Sequence, residues 1–196
     1  MSTPMRSAMR PLVRPVMQAP MRAPTRALAL ALAIAAGPAA AELKGVAAGH
    51  FESTHRAEVS ATPARVYEVF AQLPTWWDPR HSWSGDARHM TLEAREGGCW
   101  CERWGDSASV QHARVLQAIP GRGIVMDAAL GPLLSLPARG VFLLALGRSG
   151  DKTVLRMSYR VSGAPELALD QLAPAVDRVL AEQFARLTSM VETGKP

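Results

Sequence analysis

The amino-acid sequence predicts an α+β domain in which a curved antiparallel β-sheet wraps around a long C-terminal helix. A β-type run opens the domain and is followed by a short helix. A succession of short strands comes next, with turn residues between them, and one long amphipathic pattern closes the chain. A strongly curved sheet around a single helix leaves space between the two, so we expect an internal cavity.

In front of this domain, residues 1–41 contain the three parts of a secretory signal peptide. An arginine-bearing stretch precedes a run of ten apolar residues, and Ala39 and Ala41 form an A-x-A cleavage site. The sequence therefore predicts cleavage after Ala41 and a periplasmic or secreted protein. Translation from Met17 or Met21 would preserve these features. A mitochondrial transit peptide is the alternative, but several prolines interrupt the amphipathic helix that it needs.

Charge and composition exclude several classes of protein. Five of the 22 basic residues precede Glu42, so the other 17 balance the 17 acidic residues. This part of the chain lacks the basic surface that nucleic-acid binding requires. With 48% hydrophobic and 20% charged residues, the composition also excludes disorder. A membrane-spanning helix needs about 20 apolar residues, and no stretch of the mature chain approaches that length.

The elements of the domain, 51–194, follow a predicted short linker at 42–50. A β-type run occupies 51–60, after which Thr62 as N-cap and Pro63 in the first turn predict a helix. Gly and Asp residues then separate four to six short strands. Their ranges are 87–95, 99–104, 109–118, 122–129, 140–147 and 153–161. The closing helix is predicted over 172–192, with Pro174 in its first turn and Gly194 as the C-terminal cap.

Several segments of this domain resemble the START-like (SRPBCC) superfamily, particularly its polyketide-cyclase/dehydrase and heat-shock-ATPase-activator branches. The similar segments include 61–70, Trp76-Trp77, Gly97-Gly98-x-Trp100, 129–133 and 191–194. The resemblance implies the helix-grip fold, with a ligand cavity between the curved sheet and the last helix. Because the superfamily includes lipid carriers, cyclases and chaperone activators, the fold alone does not determine the function.

The turn around Gly97 and Gly98 determines which side chains face the cavity. A two-residue loop would place Glu93 beside Trp100. A three-residue loop at 96–98 instead predicts the pairs Ala94 with Trp100, Leu92 with Glu102 and Met90 with Trp104. We prefer the three-residue loop because it gathers the bulky apolar side chains on one face. The residues then expected to face inward are Leu92, Ala94, Trp100, Glu102 and Trp104, and those expected to face outward are Cys99, Cys101 and Arg103.

Glu102 is a carboxylate between two inward tryptophans, so it requires a partner or a raised pKa. One interpretation is structural, with Glu102 paired to an arginine or placed at a wet cavity mouth. The other is functional, with Glu102 contacting a ligand or transferring a proton. The tryptophans between 76 and 104 are typical of an aromatic binding site, although Trp77 and Trp83 could equally serve packing. The predicted ligand-binding residues are Trp77, His81, Trp83, Leu92, Trp100, Glu102, Trp104, Tyr159 and Phe184.

Cys99 and Cys101 are two positions apart on a predicted strand. Their Cα atoms are expected about 6.5–7 Å apart, at or beyond the usual disulfide range. Three interpretations of the pair stay open, namely inert thiols, a disulfide in an oxidising compartment, and a metal or redox role. No zinc-ligand spacing, phosphate loop, dinucleotide motif or nucleophile motif accompanies the pair. No metal and no cofactor are therefore expected.

Together these observations predict an exported protein that binds a small hydrophobic or aromatic ligand. The alternative is a polyketide cyclase/dehydrase-like enzyme that uses Glu102 and a histidine such as His81 as acid and base. A second alternative is a co-chaperone or protein-interaction module. The ATP-driven chaperone partners of that branch are cytosolic, so the signal peptide argues against it.

Overall fold

The computed structural model describes residues 40–196, which form an eight-stranded antiparallel sheet and two α-helices. The strands are β1 (Ala40–Ala47), β2 (His50–Val59), β3 (Met90–Leu92), β4 (Cys99–Trp104), β5 (Ala108–Ile119), β6 (Gly123–Ala128), β7 (Arg139–Ser149) and β8 (Lys152–Ser162). The helices are α1 (Pro63–Ala71) and α2 (Leu169–Thr193). The order of the strands across the sheet is β1-β2-β8-β7-β6-β5-β4-β3. Residues 1–39 of the predicted signal peptide lie outside the described residues.

This architecture confirms the predicted α+β helix-grip fold. The sheet curves around α2, which packs against β1, β2 and β8. The 25 residues of α2 make a helix of about 37 Å, long enough to extend along the whole sheet. Its buried apolar stripe includes Leu180, Phe184 and Leu187. None of the helices within 40–196 is both long and apolar enough to span a membrane.

The ends of both helices follow from local sequence. The Thr62 side chain accepts a hydrogen bond from Arg65 N at 3.2 Å and caps α1, as predicted. Gly194, with a φ of 74°, closes α2. Helix α2 begins at Leu169, three residues before the predicted start, because this leucine is buried and its N–H donates to Ala48 O at 2.7 Å. Pro174 consequently lies in the second turn rather than the first.

The predicted linker at 42–50 is instead part of the sheet. Most of it forms β1, an edge strand that pairs antiparallel with β2 through partners such as Leu43 and Ser53. The segment contains mainly small residues with weak β-propensity, which explains why the sequence did not indicate a strand. Pairing with the neighbouring strand β2 provides the stabilisation that local propensity lacks.

The predicted pairing of β3 with β4 is wrong by two residues. Leu92 lies opposite Trp100 and Met90 opposite Glu102, because 93–98 forms a wider turn than the three-residue loop. In this turn Gly97 and Gly98 exchange backbone hydrogen bonds with Val115 of β5. A side chain at Gly98 would overlap the Glu93 carbonyl oxygen. Since the shift is an even number of residues, Trp100 and Glu102 still face the interior.

Aromatic rings fill the core at the end of the sheet near β4. Trp100 makes an edge contact with Trp77, with ring centroids 4.9 Å apart, and a second one with Phe142 at 6.0 Å. Phe70 of α1 stacks against Phe142 at 6.1 Å. This cluster supports one wall of the cavity described next.

Candidate ligand-binding site

A cavity of about 510 Å³ lies between α2 and the loops at one end of the sheet. Its lining residues are Trp77, His81, Ser82, Trp83, His112, Leu130, Gly131, Pro132, Leu172, Ala175, Val176, Val179 and Leu180. Most of these side chains are apolar. The volume falls in the range of about 300–1,000 Å³ that is typical of small-molecule sites.

Helix α2 contributes the largest share of this apolar wall. Leu172, Val176 and Val179 recur at spacings of four and three residues, so they lie on one face of the helix. Leu172 and Val179 are only partly buried. The helix therefore presents to the cavity a part of its apolar stripe that the sheet does not cover.

The opposite wall is the tryptophan loop, which we define as residues 76–84. Hydrogen bonds to α2 fasten its first half. Arg186 Nε donates to Trp76 O at 2.7 Å, and Asp78 N donates to Gln183 Oε1 at 2.8 Å. Glu182 of α2 pairs with Arg80 and lies 3.1 Å from His81 Nε2. These contacts hold the loop against the helix.

Glu102 of β4 fastens the second half of the tryptophan loop from the sheet side. Ser84 N donates to Glu102 Oε1 at 2.5 Å, and Trp83 N donates to Oε2 at 3.1 Å. His112 Nε2 lies 2.9 Å from the same Oε2. The Glu102 side chain is fully buried, and both of its oxygens have partners. The arrangement corresponds to the structural interpretation, but with a histidine and backbone amides in place of the expected arginine.

Hydrogen bonds to the charged form determine how Glu102 titrates. Burial raises the pKa of the Glu102 carboxyl, but the hydrogen bonds from Ser84, Trp83 and His112 outweigh burial and bring the pKa below its ordinary value. A raised pKa, which the sequence left open, is therefore not the outcome. Glu102 is ionised at neutral pH.

His112 is a lining residue that the sequence analysis did not assign. Trp100 pairs with Ala113 while Cys101 pairs with Gln111, so His112 is the extra residue of a β-bulge in β5. Alternation counted from Val115 turns His112 away from the core, whereas alternation counted from Val110, opposite Glu102, turns it inward. The bulge lets both His112 and Ala113 be buried. A bulge leaves no clear signal in the sequence, and the strand pattern alone could not have identified this residue.

Tyr159 supports the third wall of the cavity without lining it. Its hydroxyl donates to Ala128 O at 3.0 Å and accepts a hydrogen bond from Leu130 N at 3.2 Å. Burial raises the pKa of Tyr159 to about 12. A Cβ atom at position 140 would lie 2.5 Å from the Tyr159 hydroxyl, so Gly140 makes room for the ring. Tyr159 thereby positions the segment 130–132 that faces the cavity.

The structure brings three of the nine predicted ligand-binding residues to the cavity, namely Trp77, His81 and Trp83. Trp100 lies fully buried behind Trp77, and Glu102 and Tyr159 hold cavity-lining segments from behind. The other three lie elsewhere. Leu92 is half-buried against the core, Phe184 packs between α2 and the sheet, and Trp104 is half-buried at the end of β4.

Cys99 and Cys101 form a disulfide. Their Cα atoms are 5.3 Å apart, closer than the 6.5–7 Å expected for a flat strand, so β4 is locally contracted. This contraction lies beside the bulge at His112. Within 40–196, no group of three or more His, Cys, Asp or Glu side chains is arranged to hold a metal ion.

Comparison with solved structures finds the same fold at low sequence identity. CalU16 from Micromonospora echinospora aligns with a TM-score of 0.51 and 16% identity, covering 81% of this chain and 85% of that one. The Aha1 dimer structure from Colwellia psychrerythraea aligns with a TM-score of 0.53 and 16% identity, covering 74% and 98%. Protein Ms6760 from Mycobacterium smegmatis aligns with a TM-score of 0.54 and 14% identity, covering 80% of this chain and 98% of that one. No protein-family model and no curated protein matches the chain. At these identities the likeness establishes the fold alone.

Proposed function

We propose that this chain is an exported START-like (SRPBCC) protein that binds a small hydrophobic or aromatic ligand between the sheet and α2. The observation that carries the proposal is the apolar cavity of about 510 Å³ between α2 and the tryptophan loop. Hydrogen bonds to both α2 and β4 keep this loop in place, so the cavity is formed before a ligand arrives. A preformed site lowers the entropic cost of binding.

The residues at the cavity favour an aromatic or apolar ligand. Trp83 lines the cavity and exposes 53% of its surface, which is unusual for the largest apolar side chain. Trp77 contributes a second indole, and its N–H is already used by His81 O at 3.0 Å. The Trp77 ring therefore offers the ligand an apolar surface rather than a polar contact.

Filling the cavity tests this proposal. Ala175→Trp adds a large side chain at a position of α2 that lines the cavity, whereas Ala185→Trp makes the same substitution at a position of the same helix that does not line it. Both alanines are exposed, so they differ in their place relative to the cavity. With N-phenyl-1-naphthylamine as a fluorescent apolar probe, we expect Ala175→Trp to weaken binding at least about tenfold. Ala185→Trp should bind the probe like the unmodified chain. Equal binding by both variants would place the probe elsewhere and contradict the proposal.

The enzyme alternative, with Glu102 as acid or base, draws less support from the geometry. Both Glu102 oxygens accept hydrogen bonds from the loop or from His112, and the side chain has no exposed surface. A general acid or base must come within hydrogen-bond reach of the substrate. Glu102 would have to release the tryptophan loop to do so.

Export is supported by the leader and by the disulfide. Disulfides persist mainly in oxidising compartments, and Cys99 and Cys101 are bonded to each other. Cleavage after Ala41 would leave β1 beginning at Glu42, which pairs with Thr54. N-terminal sequencing of protein from the exported fraction should give Glu42 as the first residue. An intact leader on protein from the cytoplasm would contradict this part of the proposal.

A further inference from the structure

His112 combines two properties that no other residue lining the cavity shares. It is almost completely buried, with 4% of its surface exposed, and its ring contacts the fully buried Glu102 carboxylate. The ring packs against Trp100 with centroids 5.8 Å apart. Residues 111–114, His112 included, also border a second cavity of about 420 Å³. The ring of His112 contacts Trp100 and Glu102, both fully buried in the interior of the sheet, and we therefore place it on the side of the first cavity.

Glu102 determines which nitrogen of His112 carries the proton. An ionised carboxylate can only accept hydrogen bonds, so His112 Nε2 must carry the hydrogen that it donates to Glu102 Oε2. Burial lowers the pKa of His112 below its ordinary value of 6.5, although Glu102 acts in the opposite direction. The imidazole is therefore neutral near pH 7. Its other nitrogen, Nδ1, is then an unprotonated hydrogen-bond acceptor.

This acceptor belongs to a side chain that lines the cavity, and it has no partner among the described residues. No residue within 40–196 hydrogen-bonds to His112 Nδ1. Nor is Nδ1 among the four buried side-chain polar atoms of these residues that lack a partner. It therefore keeps accessible surface. Ser82 Oγ already donates to Pro79 O at 2.8 Å. His81 also contacts a glutamate, Glu182, but its side chain is 29% exposed, so water competes for its free nitrogen.

We propose that His112 Nδ1 accepts a hydrogen bond from a hydroxyl group of the ligand. This inference rests on the proposed binding function and specifies the ligand class as an aromatic or apolar molecule that carries a hydroxyl donor, such as a phenol. A carboxylate ligand would bring a second acceptor to Nδ1, and a plain hydrocarbon would leave Nδ1 desolvated without a partner. Both are disfavoured once the bound ligand covers Nδ1 and removes it from water. Glu102 acts as a positioning residue, because it orients the imidazole.

A pair of probes that differ in a single donor tests the assignment. 2-Naphthol carries the hydroxyl, and 2-methoxynaphthalene has the same ring system without a donor. By calorimetry near pH 7, the unmodified chain should bind 2-naphthol about 5–10-fold more tightly than 2-methoxynaphthalene, which is the effect of one hydrogen bond. In His112→Phe the two affinities should become equal while binding of 2-methoxynaphthalene is retained. His50→Gln, a control at a histidine that lines neither cavity, should keep the preference.

A second measurement avoids any effect of the substitution on folding. Nitrogen-15 NMR of the unmodified chain should show His112 with Nε2 protonated, and the Nδ1 resonance should shift with 2-naphthol but not with 2-methoxynaphthalene. Equal affinities of the unmodified chain for both probes, or a protonated Nδ1, would overturn the inference and leave the binding proposal intact. If neither probe binds the unmodified chain, the binding proposal fails and this inference with it.

Discussion

Glu102 illustrates how one buried carboxylate organises the wall of a cavity. Its partners come from two distant parts of the chain, the backbone of Trp83 and Ser84 and the side chain of His112. A carboxylate that accepts several hydrogen bonds keeps its charge even when it is buried. The charge makes each bond stronger than a neutral one, so this residue restrains both the tryptophan loop and the orientation of His112.

Replacing this carboxylate by its amide should therefore destabilise the fold. In Glu102→Gln one acceptor oxygen becomes an NH₂ group, which faces a backbone N–H that then lacks a partner. We expect the free energy of unfolding in urea to fall by about 2–3 kcal/mol. The control is Glu93→Gln, because Glu93 forms an exposed ion pair with Arg95. This substitution should change the free energy of unfolding by less than about 1 kcal/mol. Equal effects of the two substitutions would show that Glu102 does not hold the loop.

The interface between α2 and β2 contains a polar cluster within an otherwise apolar contact. Ser53 Oγ donates to Asp177 Oδ1 at 2.7 Å and lies 2.9 Å from His55 Nε2. The same His55 nitrogen lies 3.4 Å from Asp177 Oδ1. A hydrolytic triad uses the two ring nitrogens separately, one for serine and one for aspartate. This cluster therefore satisfies buried polar groups between helix and sheet rather than activating a nucleophile.

Phe184 provides the apolar part of the same interface. Its ring packs against His55 with centroids 5.7 Å apart, and 3% of its surface is exposed. Phe184→Ala should lower the free energy of unfolding by about 3–5 kcal/mol, because the neighbouring side chains relax only partly into the cavity that the substitution leaves. Arg178→Ala, at an exposed position of α2, should stay within about 0.5 kcal/mol of the unmodified chain. A loss below about 1 kcal/mol for Phe184→Ala would mean that α2 does not pack as described.

For the molecule as a whole, the titrating groups predict loss of stability in acid. Burial lowers the pKa of His55 and of His112, against the opposing effect of their acidic neighbours. The hydrogen bond from Arg80 lowers the pKa of Asp78, and the one from Arg88 lowers the pKa of Asp86 to about 2. The pKa of Glu102 is lowered as well. In each case the unfolded chain binds protons at a higher pH than the folded one, so acid favours unfolding.

Stability should consequently fall in two steps as the pH decreases. His55 and His112 contribute fully to the free energy of unfolding above the ordinary histidine pKa of 6.5. This contribution is lost as the pH falls from 6.5 through their lowered pKa values in the folded chain. The carboxylate contribution is lost below the ordinary values of 4.5 for Glu102 and 3.8 for Asp78 and Asp86. Urea midpoints measured from pH 8 to pH 3 would show both steps.

A double variant separates the two steps. In the double variant His55→Asn/His112→Asn, the urea midpoint should change little between pH 7 and pH 5. The carboxylate step at lower pH should stay in place. His50→Gln, outside the helix–sheet interface, serves as the control and should keep both steps. A midpoint that does not change between pH 7 and pH 5 in the unmodified chain would contradict the prediction.

Local patterns were sufficient for most of the architecture. The predicted strand at 153–161, the Thr62-Pro63 helix start and the amphipathic pattern of the closing helix correspond to elements that the structure confirms, because each depends on residues that are neighbours in sequence. The inward direction of Trp100 and Glu102 was also correct, since side chains of a strand alternate whatever its partner. The signal peptide stays a prediction, because residues 1–39 lie outside the described part of the chain.

The candidate site depended on contacts between residues that are far apart in sequence. The β3–β4 register followed from a wide turn at 93–98, in which Gly97 and Gly98 bond to Val115 of β5, a partner that the turn sequence alone does not reveal. The bulge that buries His112 arises only when β4 and β5 pair, and it provides the partner of Glu102. A strand sequence specifies two faces, but the neighbouring strand decides where the alternation breaks. That is why tertiary pairing, rather than local pattern, placed His112 beside the cavity.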